Sequence, residues 1–362
     1  MNKMFHKAVP LPMDPPVLAP EIQKKVTQSQ ISLVRLNQLI NTFENPKVLI
    51  RPVMRKEAHS TSAIEGVHAP YEKLISGSIF RGTDENLIEI SNFLETAEFA
   101  VDQFMIDRNM SITFLKQLHR DLFTGLTRWN LRNGKFREDE VQIENATGYI
   151  FYPVKSGQEV NEAISELLKW YKKTNSWDPI VAISAFHYQF EVIHPFEDGN
   201  GRIGRLLAIL QLFDKALLDF PILDLSSWLR DKKHLYHQSF QKVTDQKDWN
   251  FQIGVISAAI QGAANSLITD IEELIRLQEK EKEKVRKSFR AHSRAIDILD
   301  FAFTEVEFTV PQVSAELGIS FKSANALVSK LVLLGSLSPI GDTVYERRFK
   351  NAPLYDYAQR GF

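Results

Sequence analysis

Hydrophobic positions in the first quarter of the chain recur with the period of an α-helix. Over residues 31–40 we assign Ile31, Val34, Leu36, Leu39 and Ile40 to one apolar face. Because residues three and four apart share one side of a helix, this spacing predicts a helix that packs on a core. Further helices are predicted at 52–65, ending at Gly66, and at 86–107, 111–123, 159–173 and 179–191, continuing to about residue 264.

A different pattern interrupts the helices between residues 136 and 154. Apolar residues alternate with polar ones on both sides of the turn signal Asn145-Ala146-Thr147-Gly148. The alternating apolar residues are Val141, Ile143, Tyr149, Phe151 and Val154. Alternation around a turn is typical of two paired strands, so a β-hairpin is predicted here.

The pattern changes again in the last quarter of the chain. Residues 267–290 are highly charged and carry Glu272–Arg276 and Glu283–Lys287 at the (i, i+4) spacing of an exposed helix. Beyond them, helices are predicted at 295–303, 310–317 and 321–334, with a tight turn at 318–320 and strand-like pieces at 337–340 and 344–349. Helix, helix-turn-helix and hairpin in this order predict a winged helix.

These patterns together predict a mainly α fold with one β-hairpin and a C-terminal winged-helix domain. The expected divisions are an N-terminal helical region at 1–110, a helical core at 111–264, a helical connector at 265–292 and the winged helix at 293–362. Residues 1–20 contain several prolines and are expected to be extended.

Composition narrows the class of protein. The chain has 362 residues, 44% of them hydrophobic and 25% charged, with a net charge of −1, which is ordinary for a globular protein. The absence of cysteine excludes disulfides, thiolate metal sites and cysteine nucleophiles. The longest apolar stretch, around residues 206–213, is too short to cross a bilayer, and no apolar run marks a signal peptide. A cytoplasmic protein without membrane association is therefore expected.

One loop carries most of the candidate chemistry. Residues 194–205 read HPFEDGNGRIGR and lead into an apolar helical stretch. Glycines at a helix N-terminus let N–H groups close on an anion, and arginines neutralise phosphate oxygens. An acidic residue beside phosphates, here Asp198, holds a divalent cation, and His194 can accept a proton at neutral pH. The loop therefore predicts a polyphosphate site with its own base and metal ligand.

The same loop resembles the signature of the Fic (filamentation induced by cAMP) family, H-x-F-x-[D/E]-G-N-G-R-x-x-R, at all eight fixed positions. Gly134-Lys135-Phe136-Arg137 with the hairpin after it resembles the family's flap, and 187–195 resembles the helix that enters its active loop. The resemblance covers about residues 50–260. It implies an all-helical core that transfers AMP from ATP to a Ser, Thr or Tyr hydroxyl of a target protein.

The resemblance also implies a role for each residue of the site. His194 would deprotonate the target hydroxyl, Asp198 would hold Mg²⁺ on the phosphates, and buried Phe196 would anchor the loop. Gly199, Asn200 and Gly201 would cradle the phosphates with backbone and amide donors, Arg202 would stabilise pyrophosphate, and Arg205 would meet the γ-phosphate. In the flap, Val141 and Ile143 would face the nucleotide. Tyr236 would stack on adenine, although an ordinary core tyrosine is nearly as good an interpretation.

A second motif bears on regulation. The sequence TSAIEG at 61–66 resembles the inhibitory motif [S/T]-x-x-x-E-[G/N] of autoinhibited Fic proteins, although a glycine cap also ends ordinary helices. With the full loop downstream, the resemblance implies that Glu65 pairs with Arg205 and occupies the place of the γ-phosphate. ATP would then bind in an unreactive pose.

The other histidines near this chemistry are expected in the core. His187 lies two helical turns before His194, but no carboxylate or third histidine stands at ligand spacing. His119 has the same interpretation.

The C-terminal domain is expected to make contacts, and its partner stays open. Residues 293–362 carry seven Lys/Arg and eight Asp/Glu, whereas a DNA reader normally shows a basic surface. The predicted third helix has only Lys322 and Lys330, and the remaining basic cluster is Arg347, Arg348 and Lys350. A protein-contact or structural role is therefore favoured over DNA binding.

Several alternatives remain at this point. The chain is either an adenylyltransferase or a winged-helix transcription regulator whose core senses nucleotide. An enzyme of this kind is also compatible with transfer of UMP or GMP, since the phosphate loop does not read the base, or with removal of AMP, with Glu65 positioning water. Family members often dimerise, so the resemblance also makes a homodimer plausible.

Overall fold

The computed structural model describes residues 6–7, 9–42, 50–75, 84–126, 133–141, 143–144, 150–152, 157–289, 293–305, 307–341 and 347–359. The chain divides into two compact units. The first comprises 1–42, 53–69 and 82–267, and the second comprises 43–52, 70–81 and 268–362. The four-domain division expected from the sequence stays a prediction.

Helices dominate the chain up to residue 288. Their bounds are α1 Pro20–Ile40, α2 Ile50–Ile64, α3 Tyr71–Ile75, α4 Glu85–Ile106, α5 Ile112–Leu122, α6 Gly157–Lys173, α7 Pro179–Ile193, α8 Asn200–Asp214, α9 Leu225–Asp231, α10 Lys233–Gln246 and α11 Trp249–Ser288. The five internal helices with predicted bounds at both ends (52–65, 86–107, 111–123, 159–173 and 179–191) are confirmed to within two residues. Local periodicity and capping residues decide such boundaries, which explains the agreement.

Helices α7 and α8 form the centre of the first unit and hold the candidate loop between them. Asp178 caps α7, because its carboxylate accepts a hydrogen bond from the Ile180 N–H at 2.9 Å, and Pro179 stands in the first turn. The helix ends where His194 adopts a left-handed φ of 51°, and Gly199, with φ 77°, precedes α8. Nearly every residue of both helices is buried, so the loop is fixed at each end by the core.

The predicted hairpin is present and belongs to a three-stranded sheet. Strands β2 (Ile143–Glu144) and β3 (Ile150–Tyr152) are antiparallel, and β1 (His6–Lys7) pairs in parallel with β3 on its other edge. The strand order is therefore β1-β3-β2. Strand β1 was not predicted, and the predicted hairpin residues Tyr149 and Val154 lie outside the described residues.

The second unit contains a helical cluster and a second small sheet. Its remaining elements are α12 Ala295–Thr304, β4 Glu307–Thr309, α13 Val310–Leu317, α14 Phe321–Leu333, β5 Leu337–Ile340, β6 Arg348–Asn351 and α15 Ala352–Gln359. The sheet is antiparallel in the order β4-β6-β5. Its elements follow the predicted order, with β4 and α15 added, and the name winged helix stays a prediction.

Helix α11 is unbroken over 40 residues and includes most of the expected connector. Its charged part forms the predicted surface pairs Arg276–Glu272 and Lys287–Glu283, at 3.4 and 3.9 Å. One 18-residue window of α11 is long and apolar enough to cross a membrane, but 61% of that window is buried within the protein. Core helices of globular proteins pass the same test, so this composition is a weak indication of a membrane span.

Truncating a core side chain of α1 is expected to destabilise the first unit. Leu33 is fully buried, whereas Ile31 and the adjacent Val34 are each 53% exposed. The prediction that Ile31 and Val34 face the core is therefore wrong, because the buried side of α1 runs through Leu33, Leu36 and Ile40. We expect Leu33→Ala to lower the free energy of unfolding by about 2–5 kcal/mol, because it removes apolar contacts and leaves a cavity. Val34→Ala is the matched control and should change it by about 0.5 kcal/mol or less. Urea denaturation measures both, and equal effects would contradict the packing of α1.

Candidate active site

The loop between α7 and α8 is anchored by Phe196, whose side chain is fully buried as predicted. Its ring stacks on His119 at 4.1 Å and meets Phe136 at 5.2 Å. The Asn200 side chain closes the turn, because its amide donates to the Phe196 carbonyl and its oxygen accepts the Phe196 N–H, both at 2.9 Å. The Asn200 side chain thus holds the loop, and the phosphate contact that the resemblance implies for it stays a prediction.

Arg137 fixes the entrance of the loop from the other side. This fully buried guanidinium donates to the carbonyls of His194 at 2.8 Å and Ile193 at 3.2 Å. The Arg137 backbone N–H donates to the Pro195 carbonyl at 2.9 Å. Three successive carbonyls at the end of α7 are thereby satisfied by one residue, so the loop has little freedom to move there.

His194 is held in the protonation state that a general base requires. Its Nδ1 lies 3.2 Å from the Glu191 carbonyl. Because a carbonyl only accepts, Nδ1 carries the proton and Nε2 keeps its lone pair. Burial lowers the pKa of His194 to about 4, and the bond to the Glu191 carbonyl offsets this only in part. The imidazole is therefore neutral at pH 7 and able to accept a proton.

Asp198 stands at the N-terminus of α8 with one third of its side chain exposed. Its Oδ1 accepts the Gly199 N–H at 2.5 Å and lies 3.4 Å from Nη2 of Arg202. The first N–H groups of an α-helix have no intrahelical acceptor, so those of α8 are available beside this carboxylate. Donors and a carboxylate side by side suit a phosphate bridged to a divalent cation.

Gly199 is required at its position by space as well as by backbone angle. A Cβ there would stand 2.9 Å from Leu122 Cδ2 and from Phe123 Cε2, and its φ of 77° is unfavourable for other residues. The close contact with the end of α5 therefore sets where α8 begins.

Arg202 is fixed by an acid that the sequence did not single out. Its Nη1 pairs with Glu89 Oε1 of α4, and both side chains are 1% exposed. The guanidinium also lies over the Phe123 ring at 5.1 Å. Its Nε is buried without a hydrogen-bond partner among the described residues. One N–H of this rigidly held arginine is therefore unpaired among the described residues.

Arg205 contacts both ends of the TSAIEG motif. Its Nη2 donates to Glu65 Oε1 at 2.7 Å and to the Thr61 carbonyl at 3.1 Å, and its Nε donates to the Thr61 hydroxyl at 2.8 Å. Arg205 is 1% exposed, whereas one third of the Glu65 side chain is accessible. Thr61 and Glu65, at the C-terminal end of α2 and just beyond it, therefore provide the hydrogen-bond acceptors and the counter-charge of buried Arg205.

The charges of this pair support each other. Burial opposes ionisation of Glu65, but the charge of Arg205 and its hydrogen bond outweigh burial and lower the pKa of Glu65. Burial likewise opposes the charge of Arg205, and Glu65 outweighs it and raises the pKa of that guanidinium. Both groups are therefore ionised near neutral pH.

Helix α2, which carries this motif, is clamped to α9 and α10. The Ser226 N–H donates to Glu57 at 2.8 Å, and the Ser226 hydroxyl donates to the other oxygen of the same fully buried carboxyl. Burial, together with the nearby Asp224, raises the pKa of Glu57. The Lys233 ammonium donates to the Ile64 carbonyl at 2.5 Å and so holds the last turn of α2.

The structure places the remaining predicted residues as follows. Tyr236 is 3% exposed, and its hydroxyl lies 2.7 Å from Nε2 of the buried His187, so both are core residues here. Adenine stacking by Tyr236 stays a prediction.

His119 is also buried, as predicted, and its Nδ1 accepts a hydrogen bond from the Gly134 N–H at 3.0 Å. Val141 is partly buried, and the side chain of Ile143 lies outside the described residues.

Sequence reasoning missed Glu89, Glu57 and Arg137 as parts of the site. Arg137 was quoted only as the end of a flap motif, and Glu89 and Glu57 stand in helices far from the loop in sequence. A charged residue beside an apolar helical stripe is a weak signal for a buried pair, and Glu89 next to Ile90 gives only that signal. Within the described residues, no group of three or more His, Asp or Glu side chains forms a metal site.

Two family models match the chain. The Fic/DOC family model matches residues 109–212, and the Fic/DOC family N-terminal model matches residues 23–102. The first model therefore covers the loop, and the second covers the motif that contacts Arg205.

Relatives of known name agree with these matches. A probable protein adenylyltransferase of Aquifex aeolicus is 40% identical over 60 residues, which are 17% of this chain and 19% of that protein. The protein adenylyltransferase fic-1 of Caenorhabditis briggsae is 31% identical over 100 residues, 27% of this chain and 18% of that protein. The matched region thus spans about a fifth of the length of these relatives.

Solved structures share the fold. A Fic family protein from Desulfovibrio desulfuricans G20 has a TM-score of 0.61 at 22% identity, covering 94% of this chain and 98% of that one. Fic-1 from Caenorhabditis elegans has a TM-score of 0.54 at 20% identity, covering 70% of this chain and 75% of that one.

Removing Glu89 is expected to destabilise the protein strongly, because it leaves the buried charge of Arg202 with only the partly exposed Asp198 as an acidic partner. We expect Glu89→Ala to lower the free energy of unfolding by about 3–5 kcal/mol. Glu272→Ala, which breaks the exposed pair with Arg276, is the control and should cost about 0–1 kcal/mol. Denaturant unfolding compares them, and similar losses would contradict the buried pair.

Proposed function

The chain belongs to the Fic/DOC family, and we propose that it is a protein adenylyltransferase held inactive by its own Glu65. It would transfer AMP from ATP to a Ser, Thr or Tyr hydroxyl of a target protein. The observation that carries the proposal is that Glu65 pairs with Arg205 at 2.7 Å in the same loop whose neutral His194 is held by the Glu191 carbonyl.

The reaction begins with proton transfer to His194. Its Nε2 accepts the proton of the target hydroxyl while the oxygen forms a bond to the α-phosphorus of ATP. The bond from the α-phosphorus to the bridging oxygen breaks, and pyrophosphate leaves with that electron pair. Because the Glu191 carbonyl fixes the Nδ1 proton, the developing imidazolium is oriented and stabilised.

Arginines and backbone donors would bind the phosphates. The positive groups proposed to do so are the N–H groups of the first turn of α8, the unpaired Nε of Arg202 and the guanidinium of Arg205. Such fixed donors stabilise developing negative charge without reorganisation.

The residues present also fit Mg²⁺. This cation usually takes one or two carboxylates together with substrate phosphates, and Asp198 supplies one partly exposed carboxylate at the phosphate site. Bound there, Mg²⁺ would neutralise phosphate charge and favour departure of pyrophosphate.

Inhibition would follow from competition for Arg205. The Glu65 carboxylate pairs with the guanidinium that the γ-phosphate needs, and Thr61 holds the same guanidinium through its Nε and Nη2. A nucleotide must therefore either displace Glu65 or bind with its terminal phosphate misplaced. The exposed third of the Glu65 side chain leaves a direction in which it can move away.

The β2–β3 hairpin would present the target. An extended segment can add to the edge of a sheet by main-chain hydrogen bonds. Strand β1 pairs with β3, so β2 is the outer strand of the hairpin on its other side. We therefore propose that the target hydroxyl approaches along β2.

Glu65→Gly is expected to raise AMP transfer about tenfold or more, since losing a charge-assisted bond of roughly 1.5–3 kcal/mol frees Arg205 for the γ-phosphate. Labelled ATP with Mg²⁺ and a cell lysate measures incorporation into protein. Glu305→Gly is the matched control, because Glu305 also directly follows a helix end but caps α12 in the second unit. A Glu65→Gly variant as silent as the unaltered chain would refute autoinhibition.

His194→Ala, made in the Glu65→Gly background, is expected to reduce transfer by about 10²–10⁴-fold while ATP still binds, because only the base is lost. Incorporation of label and equilibrium binding of ATP give the two readouts. His234→Ala, an exposed histidine of α10, is the control and should leave both unchanged. Transfer that survives the loss of His194 would remove it from its role.

A further inference from the structure

Two carboxyl groups lie against one face of α8, each over a glycine. A Cβ at Gly201 would stand 2.3 Å from Glu65 Oε1, and a Cβ at Gly204 would stand 2.2 Å from Glu191 Oε1. Residues three apart are neighbours on one face of a helix, so the two acids occupy successive turns. Gly204 falls at a variable position of the loop signature, and here the Glu191 carboxyl fills the space above it.

Glu191 is the acid of this pair to which no function is yet attached. Its Oε1 is buried and has no hydrogen-bond partner among the described residues. Burial raises the pKa of Glu191 to about 8, Arg205 lowers it in part, and the charge of Glu65 raises it further. At pH 7 the group is therefore mainly a neutral carboxylic acid.

The charged and titratable groups around Glu191 come from four helix segments. Arg205 extends from α8, Glu65 follows the end of α2, His187 and His194 belong to α7 and its end, and Tyr236 belongs to α10. His187 and His194 are neutral at pH 7, since burial lowers the pKa of each, and burial raises the pKa of the Tyr236 phenol. Arg205 and Glu65 are thus the only ionised members of this group at that pH.

We infer that Glu191 is a positioning residue of the nucleotide site, whose protonated form leaves the charge of Arg205 to the terminal phosphate and whose ionised form competes for it. This inference rests on the proposed function. Arg205 carries one positive charge, which either Glu65 or the γ-phosphate balances. Glu191 must then be neutral, because a second carboxylate would compete for the same charge. An ionised Glu191 would pair with Arg205 and repel the phosphate across a low-dielectric site.

The sign of the pH effect follows from which form binds ATP. The negative γ-phosphate favours protonated Glu191, so affinity for ATP falls as pH rises through the pKa of Glu191 in the free protein. Loss of Glu65 removes one cause of the raised pKa, so in Glu65→Gly this fall begins below pH 8. A single proton changes the affinity by at most about tenfold per pH unit.

The test measures ATP binding by calorimetry with Mg²⁺ at pH 7, 8 and 9 on the full chain. In Glu65→Gly the Kd is expected to rise about five- to tenfold or more over this range. With Glu191→Gln added, which keeps the shape of the protonated acid, the rise should be less than about twofold. Glu191→Met, uncharged and of similar length, should flatten the profile in the same way. Glu281→Gln, a buried acid of the second unit, is the matched control and should keep the full slope.

Kinetics provides the second readout. If Glu191 acts through binding of the nucleotide, KM for ATP follows the same pH profile while kcat at saturating ATP changes less than about twofold. Equal slopes with and without Glu191 would overturn the inference while leaving adenylyl transfer intact. Absence of ATP binding in every variant and at every pH would overturn the proposed function and this inference with it.

Discussion

The buried charge of Arg205 is the constraint on which the site depends. A guanidinium that is 1% exposed has lost its hydration, and a buried ion without a partner costs several kcal/mol. Glu65 supplies the counter-charge in this structure, and Thr61 satisfies two further N–H groups. In the proposed reaction the γ-phosphate replaces Glu65, so the inhibitory carboxylate and the substrate phosphate balance the same buried charge of Arg205 in turn.

The buried charge of Arg202 is compensated differently, by an acid that is itself buried. Its partner Glu89 is as deeply buried as the arginine, so this pair stays closed, whereas the Glu65 side chain is one third accessible. The two arginines of one loop therefore differ in what they can do. Arg202 is a fixed positive charge with one unpaired N–H, its Nε, among the described residues. Arg205 is a cation whose acidic partner, Glu65, can be exchanged for another anion.

Local chemistry determines how far the sequence predicts this protein. Helix ends follow from periodicity and caps, so α13 was predicted at its observed bounds, and the loop is recognisable because its reacting residues are contiguous. Strand β1 has two residues and no periodic signal, so it could not be predicted. Glu89 and Glu191 also escaped, because their roles depend on which helix packs against α8, and no local pattern encodes a tertiary contact.

The placement of Glu65 suits the regulation proposed for this site. Helix α2 is held along its length by buried Glu57 on Ser226 and at its last turn by Lys233, whereas Glu65 lies just beyond the helix end. Because α2 is fixed and Glu65 lies beyond its end, the contact between Glu65 and Arg205 can open without unfolding α2. The free energy needed to release Glu65 is then that of one charge-assisted hydrogen bond, roughly 1.5–3 kcal/mol. Binding of a ligand or a partner can supply a free energy of this size. In the proposed autoinhibited state, the clamp on α2 would keep Glu65 at high local concentration beside Arg205, and the freedom of Glu65 would keep the inhibition reversible.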